Sequence, residues 1–140
     1  MSNIRCSGAM IYSLATRRFL FLYRKQSKNS NVWGLVGGTN EYQESPGEAL
    51  YREIDEEIGK VNILKTIPIE TFTSRDKRFK YYTYVCTVEN EFIPKLNDEH
   101  SGYAWASYND WPQPLHQGIV KTLKSKVIKN KFETIFSVLH

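Results

Sequence analysis

The segment between Gly38 and Gly59 limits what this chain can fold into more than any other stretch, because it carries both ends of a helix. Ser45 can cap the helix, Pro46 fits its first position, and Glu48 stands where a capping-box acid belongs. Gly59 tolerates the left-handed backbone that ends a helix. The apolar residues in between recur every four positions and are Leu50, Ile54 and Ile58. The sequence therefore predicts a short helix with one face packed on a core.

A second face of this helix is acidic. Its carboxylates stand at spacings of three and four and belong to Glu53, Glu56 and Glu57. Like charges at i,i+4 destabilise a helix by roughly 0.2–0.5 kcal/mol per pair, so a neighbouring cation is needed to offset them. Arg52 is one candidate, and Mg²⁺ or Mn²⁺ is a better one, because these ions prefer oxygen ligands. A solvated acidic surface is the alternative, but Gly38, Glu44 and Gly59 stand in register and favour a metal-assisted phosphate site.

These residues resemble a known family motif. The motif is the Nudix box, G-x5-E-x7-R-E-U-x-E-E-x-G-U with U a bulky aliphatic residue, and its fixed positions are matched by Gly38, Glu44, Arg52, Glu53, Ile54, Glu56, Glu57 and Gly59. Lys60 stands at the last aliphatic position, with Val61 after it, which indicates a small local shift at the helix exit. The match is far more specific than a lone glycine-rich string.

Sequence on both sides extends the resemblance. Val32–Gly38 is similar to the Trp-x-Leu-Pro-Gly-Gly lead-in common in the family, with Val36 in place of the proline. Glu99–Trp105 is similar to the Glu-His-x-x-Tyr-x-Trp stretch of several Nudix subgroups, in which an acid approaches the metals from a separate loop. The matched segments reach in outline from about Gly8 to Trp105.

The order of strand-like and helical segments predicts an α/β fold, and the resemblance implies the same one: an α/β/α sandwich around a mixed β-sheet. A chain of 140 residues makes one domain, which we place at residues 1–140. The predicted strands are 6–15, 18–24, 63–73, 79–88 and 103–107. A polar loop is predicted over 25–31. Helical periodicity returns near Leu115 and continues over 132–139, with an interruption at Asn130.

The resemblance also implies roles for the charged residues. The implied metal ligands are the side chains of Glu53, Glu56 and Glu57 and the backbone carbonyl of Gly38. Glu53 and Glu99 are rival candidates for the general base, and Asp98 is able to substitute for Glu99. Arg52 suits bidentate pairing with carboxylates better than contact with substrate. The expected catalytic set is Arg52, Glu53, Glu57 and Glu99, with Mg²⁺ as the cofactor and Mn²⁺ as the alternative.

Three residues are candidates for binding the substrate. Arg24 ends a strand near the site and can reach a phosphate, or it is an ordinary exposed arginine. Trp33 offers a surface on which a base can stack, although aromatic residues on strands more often belong to a core. Glu44 binds an outer metal through water, or it supports the loop before the helix. His100 and His116 have no partner at a spacing typical of a metal site.

The net charge of +4 and the pI near 9.0 come from two basic groups. One surrounds a predicted hairpin turn and comprises Arg75, Lys77, Arg78 and Lys80. This group can steer a polyphosphate or an RNA 5′ end, and a solvated turn is the simpler interpretation. The other comprises Lys121, Lys124, Lys126, Lys129 and Lys131, which we expect on the solvated face of a helix.

Other features set the expected class of protein. Cys6 and Cys86 are expected to be reduced, buried thiols. No run approaches the roughly eighteen apolar residues that a membrane span needs, and the N-terminal residues lack the apolar core of a secretion signal. We therefore expect a cytoplasmic protein, monomer or homodimer, with a small nucleotide as its partner and no membrane contact.

Together the residues and the resemblance predict a metal-dependent pyrophosphohydrolase. Its substrate would be a nucleoside diphosphate linked to another group, as in nucleoside triphosphates, dinucleoside polyphosphates, ADP-ribose-like molecules and nucleotide sugars. An RNA 5′-end pyrophosphohydrolase is one alternative, suggested by the basic groups. A nucleotide-binding domain without turnover is another, and the intact glutamates argue against it.

Overall fold

The structure is a computed structural model, and it describes residues 3–25 and 31–140. The strands are β1 (Ile4–Ser13), β2 (Arg18–Arg24), β3 (Trp33–Gly34), β4 (Val36–Thr39), β5 (Lys65–Thr73), β6 (Phe79–Val88) and β7 (His100–Ser107). The helices are α1 (Pro46–Ile58), α2 (Gln117–Lys124) and α3 (Lys126–Leu139). Of the polar loop predicted over 25–31, residues 26–30 lie outside the described part of the chain.

The strands form one mixed sheet in the order β3-β2-β1-β6-β5, with β4 paired to β1 and β7 paired to β2. β1 and β6 run parallel from the pair Ile4 and Phe79 to the pair Ser13 and Val88. β1 is antiparallel to both β2 and β4. The predicted mixed α/β sheet is confirmed, and β1 lies at its centre.

Two apolar cores lie on opposite faces of the sheet, because consecutive side chains of a strand point to opposite sides. Ala9 and Ile11 of β1 pack with the apolar face of α1. Met10 and Tyr12 pack on the other side, where Phe132 of α3 contributes to the core. The predicted apolar residues of α1 are each at most 2% exposed and are Leu50, Ile54 and Ile58. Helices on both faces confirm the α/β/α sandwich.

Strand boundaries agree with the sequence where polar turns are unambiguous and shift elsewhere. β2 and β6 have the predicted ends, 18–24 and 79–88. β1 ends at Ser13 instead of residue 15, because a turn begins there: the Arg17 N–H donates to the Ser13 carbonyl over 2.8 Å, and Arg17 has a φ of 59°. β5 begins at Lys65, and β7 begins at His100, three residues before the predicted start.

The interruption predicted at Asn130 is wrong. Asn130 lies inside α3, and the break lies at Ser125, whose backbone is extended with φ −68° and ψ 131°. The Ser125 side chain accepts a hydrogen bond from the Ile128 N–H and so caps α3.

Both cysteines are free thiols, as predicted. Cys86 is buried in the core below α1, but the predicted burial of Cys6 is wrong, because Cys6 is only half-buried. Within residues 3–25 and 31–140, no helix has the length and apolar character needed to cross a membrane.

Candidate active site

Helix α1 is fixed at both ends by the residues that predict it. The Ser45 side chain accepts from the Glu48 N–H over 3.1 Å, and the Glu48 carboxylate accepts from the Ser45 N–H over 2.9 Å. Gly59, with a φ of 88°, ends the helix. Because the helix start is fixed, its acidic face is held against strand β4, which ends in Gly37, Gly38 and Thr39.

Glu57 is buried, which argues against the alternative that the acidic face of α1 is merely solvated. Its side chain is only 3% exposed, and it accepts a hydrogen bond from the Gly37 N–H over 2.8 Å. The pKa of Glu57 is raised to about 8, mainly by burial and also by the charges of Glu53 and Glu99, although the hydrogen bond from Gly37 and the charge of Arg24 lower it. A negative charge held this way is stabilised by a cation.

Glu53 lies directly against Gly38. A Cβ atom placed on Gly38 would be 2.6 Å from Oε1 of Glu53. Burial raises the pKa of Glu53, and the nearby Arg52 lowers it. Gly37 has no room for a side chain either, because a Cβ there would overlap the carbonyl oxygen of Ser7. Gly37 is therefore required for the close approach of β4 to β1, and Gly38 leaves room for the Glu53 carboxylate.

Arg52 binds several of the carboxylates at once. Its Nε and Nη2 donate to Glu44 over 2.7 and 3.0 Å. Its Nη1 donates to Glu53 and to Glu56, in each case over 3.1 Å. Its Nη2 also donates to the Thr39 carbonyl over 3.1 Å. These bonds raise the pKa of Arg52, and they align the acidic face of α1 with the end of β4.

The carboxylates of two candidate site residues, Glu44 and Glu56, accept hydrogen bonds from Arg52. Both carboxylate oxygens of Glu44 accept from the Arg52 guanidinium, so Glu44 supports the arginine and the loop before α1. The Glu56 side chain is 53% exposed and touches the guanidinium from the solvent side. The three acids that share one face in sequence thus have three environments: buried Glu57, half-buried Glu53 and exposed Glu56.

A second segment of the chain reaches the same acids. Glu57, Glu99 and His100 each offer one ligand atom, and these atoms all lie within 4.8 Å of one another. His100 is 4% exposed, and its Nδ1 lies 3.2 Å from the Asn97 side-chain oxygen. Burial lowers the pKa of His100, which favours the neutral imidazole that binds metals. Asp98 is exposed and is not part of this group.

His100 is the site residue that sequence reasoning missed. Its only signal is its place beside Glu99 in the Glu-His-x-x-Tyr-x-Trp stretch, since the contact with Glu57 joins residues far apart in the chain. The pairing of β2 with β7 brings it in, because His100 lies opposite Arg24 in that ladder.

Arg24 lines a cleft, and its charge also acts on Glu57. Its guanidinium packs on Gly34, where a Cβ atom would be 3.0 Å from Nε. The Arg24 Nε is buried and has no hydrogen-bond partner among the residues that the structure describes. Such a group is suited to an anionic ligand, because a buried unpaired donor is costly.

The cleft has a volume of about 500 Å³ and lies between the sheet and α2. Gly37 and Gly38 form one wall, so the cleft and the acidic residues of α1 share these two glycines. The polar and charged side chains that line it are Cys6, Arg24, Thr39, Glu70, Tyr81, Thr83, His116, Lys121 and Thr122. Phe72 and Phe79 also line it, with their ring centroids 6.3 Å apart.

Trp33 is not among the residues that line the cleft. Its ring lies 5.0 Å from that of Tyr23 and packs against the core below α2 and α3. Its backbone N–H donates to Pro114 and its carbonyl accepts from His116, both over 2.9 Å. Trp33 therefore holds the segment that enters α2, and His116 from that segment lines the cleft.

The donor atoms fit a divalent cation. The carboxylates of Glu53, Glu56 and Glu57 and the backbone carbonyl of Gly38 are oxygen ligands of the kind that Mg²⁺ and Mn²⁺ bind. The imidazole of His100 would add one nitrogen ligand. Burial is the main cause of the raised pKa values of Glu53 and Glu57, because it disfavours the charged form of each carboxylate. A bound cation would stabilise that charged form.

Comparison with known proteins agrees with this geometry. A family model described as the NUDIX domain matches residues 5–125. The dihydroneopterin triphosphate diphosphatase of Haemophilus influenzae is 31% identical, over 70% of this chain and 70% of that protein. A nucleoside triphosphatase NudI of Escherichia coli is 35% identical, over 67% of this chain and 75% of that protein.

A solved structure shows the same fold. The MutT Nudix hydrolase of Burkholderia pseudomallei superposes with a TM-score of 0.69 at 24% identity, over 90% of this chain and 99% of that chain. The family match spans the box helix, the cleft and the loop with Glu99. This chain therefore belongs to the Nudix family and is a hydrolase of phosphorus-containing anhydrides.

Proposed function

We propose that this protein is a divalent-cation-dependent pyrophosphohydrolase that cleaves nucleoside triphosphates. The observation that carries the proposal is the wall shared by Gly37 and Gly38, with buried carboxylates on one side and a cleft of about 500 Å³ on the other. A phosphate chain at the carboxylates would leave the rest of the substrate in the cleft. The names of the relatives support triphosphates, since one acts on dihydroneopterin triphosphate and the other on nucleoside triphosphates.

The cation would be held by the residues that the family resemblance implies. These are Glu53, Glu56, Glu57 and the Gly38 carbonyl, and Glu99 and His100 lie close enough to Glu57 to contribute. When bound, Mg²⁺ or Mn²⁺ would neutralise phosphate oxygens and make the attacking water more acidic. The role of Arg52 in this proposal is to position the carboxylates.

The general base is a choice between Glu53 and Glu99, and the geometry favours Glu53. Glu53 is half-buried, and burial raises its pKa, so it accepts a proton more readily than a solvated carboxylate does. Glu99 is exposed. Arg24, with its unpartnered buried Nε, is placed to bind a phosphate oxygen at the mouth of the cleft.

The location follows from the activity. Nucleoside triphosphates are cytoplasmic metabolites, so we propose a cytoplasmic enzyme, which cell fractionation with an antibody to this chain would test.

Product analysis by chromatography tests the function. The panel comprises nucleoside triphosphates, dihydroneopterin triphosphate, dinucleoside polyphosphates, ADP-ribose, nucleotide sugars and triphosphorylated RNA, each with Mg²⁺ and with chelator. We expect a triphosphate to yield its monophosphate and pyrophosphate with Mg²⁺ only. Under the same conditions Glu53→Gln should lower kcat more than Glu99→Gln does, and the reverse order would make Glu99 the base.

Two results would contradict the proposal. Cleavage confined to triphosphorylated RNA, with a steep dependence on salt, would favour an RNA 5′-end enzyme. No cleavage of any compound by well-folded protein would favour a nucleotide-binding domain.

A further inference from the structure

A β-bulge turns Glu70 toward the cleft. The pairing of β5 with β6 shifts after Pro68, so that Pro68 lies opposite Tyr84 while Glu70 lies opposite Thr83. Ile69 is the extra residue, and its carbonyl accepts from the Lys131 ammonium over 2.6 Å. One extra residue reverses which side chains face the core. Glu70 and Phe72 therefore line the cleft, where a regular strand would present Thr71 and Thr73.

Glu70 is also oriented within the cleft. The Thr122 hydroxyl, on α2, donates to Oε1 of Glu70 over 2.7 Å. Within the described ranges, no group of the protein donates to the other oxygen, Oε2, and no other carboxylate lines the cleft. The cleft thus offers a ligand one carboxylate, held by Thr122 of α2.

A carboxylate distinguishes heterocycles by the hydrogens on their edges. Guanine presents two adjacent N–H donors, the ring N1–H and the 2-amino group, which match two carboxylate oxygens. Adenine and cytosine place an acceptor nitrogen beside their single amino group. Uracil and thymine place a carbonyl on each side of their N–H. Only the 2-amino-4-oxopyrimidine edge, shared by guanine and pterins, avoids an acceptor facing the carboxylate.

We propose that Glu70, oriented by Thr122, selects substrates whose ring carries a 2-amino-4-oxopyrimidine edge. This inference rests on the proposed function, because it assigns the ring that the cleft receives. Lys121 lines the same cleft and supplies a donor for the ring carbonyl next to N1. Phe72 and Phe79 supply apolar faces for stacking.

GTP and ITP form the matched pair that tests this, because they differ only in the 2-amino group. For the wild type we expect kcat/KM to be about tenfold higher for GTP, the discrimination typical of one good bidentate contact. In Glu70→Gln the Thr122 hydroxyl still donates to the amide oxygen, which turns the amide N–H₂ toward the ring donors. The GTP preference should then fall to within about twofold of unity. Glu133→Gln, an exposed acid on α3, is the control and should keep the wild-type ratio.

The outcomes separate this inference from the proposed function. Equal cleavage of GTP and ITP by the wild type, or a preference that survives Glu70→Gln, would overturn the role of Glu70 and leave the enzyme intact. If nothing is cleaved, binding of GMP and IMP decides: tighter GMP binding that depends on Glu70 would support the inference and contradict the function. Equal binding would contradict both. Better cleavage of dihydroneopterin triphosphate than of GTP, with the same dependence on Glu70, would identify the ring as a pterin.

Discussion

At the scale of single residues, the candidate site depends on two glycines as much as on its charged side chains. Gly37 and Gly38 leave room for the Ser7 carbonyl and the Glu53 carboxylate, and each of these two groups would meet a Cβ. The Nudix box motif predicts the glycine at Gly38, but not the reason for it. The reason is a contact between β4 and α1, which only the folded chain contains.

Gly38→Ala should separate activity from stability. The new Cβ would lie 2.6 Å from Oε1 of Glu53, and a carboxylate at the end of a flexible side chain can move aside at low cost. We expect the melting temperature to change by a few degrees at most, and kcat to fall by about 10²-fold, because a displacement near 1 Å costs that much in a positioned group.

Gly47→Ala is the matched control for this variant. Gly47 lies in the first turn of α1, and a Cβ atom added there would have none of the described residues' atoms within 4 Å beyond its own helix and chain neighbours. The variant should keep full activity and gain up to about 1 kcal/mol in the free energy of unfolding, since alanine favours a helix. Equal activity of Gly38→Ala and Gly47→Ala would show that Glu53 does not need its observed position.

At the scale of elements, local signals predicted the helix better than the loops around it. The start and end of α1 follow from Ser45, Pro46 and Gly59, because a cap acts within one turn of the chain. The early start of β7 at His100 could not be read locally. It depends on the ladder with β2, which pairs His100 with Arg24 across many residues of chain.

The segment that delivers Glu99 and His100 is anchored at its beginning. Arg18, at the start of β2, forms two bonds with Glu91, from Nε over 2.6 Å and from Nη2 over 2.7 Å. The Thr16 hydroxyl donates to the same carboxylate over 2.5 Å. These contacts join the loop after β6 to the β1–β2 turn.

Glu91→Gln should destabilise the protein in a pH-dependent way. The hydrogen bonds from Arg18 lower the pKa of Glu91, so its stabilisation is present above the ordinary glutamate range and is lost as the pH falls through the lowered pKa. We expect a loss of about 1 kcal/mol in the free energy of unfolding at pH 7, measured by urea denaturation, and a smaller loss at pH 3. Glu89→Gln, an exposed neighbour, is the control. If Glu91→Gln lost the same free energy of unfolding at pH 7 and at pH 3, the ion pair with Arg18 would not be the source of the loss.

At the scale of the whole molecule, the cleft is the part that the sequence could not predict. Its walls come from β1, β2, β4, β5, β6 and α2, which are spread over most of the chain. The place of Glu70 in the cleft could not be predicted, because the bulge at Ile69 reverses the alternation of β5. Trp33 was a candidate for stacking on a substrate base, but its ring packs against the core instead.

The sandwich itself followed from the sequence because its two cores use simple periods. Alternate residues of β1 pack in the cores on opposite faces of the sheet, and every fourth residue of α1 packs in one of these two cores. The core packing of α1 also holds Glu57 in a buried position beside the Gly37 N–H, so the core and the candidate active site depend on the same helix.

The most direct test of the central claim compares Glu57→Gln with Asp55→Asn, an exposed acid on the same helix. In Glu57→Gln the side-chain amide oxygen can still accept the hydrogen bond from the Gly37 N–H. Because the substitution also removes a buried carboxylate, the melting temperature should be unchanged or higher. On the best triphosphate of the panel with Mg²⁺, we predict that kcat falls by at least about 10²-fold in Glu57→Gln and stays within about twofold of wild type in Asp55→Asn. Wild-type turnover by a folded Glu57→Gln protein would contradict the placement of the active site at these carboxylates.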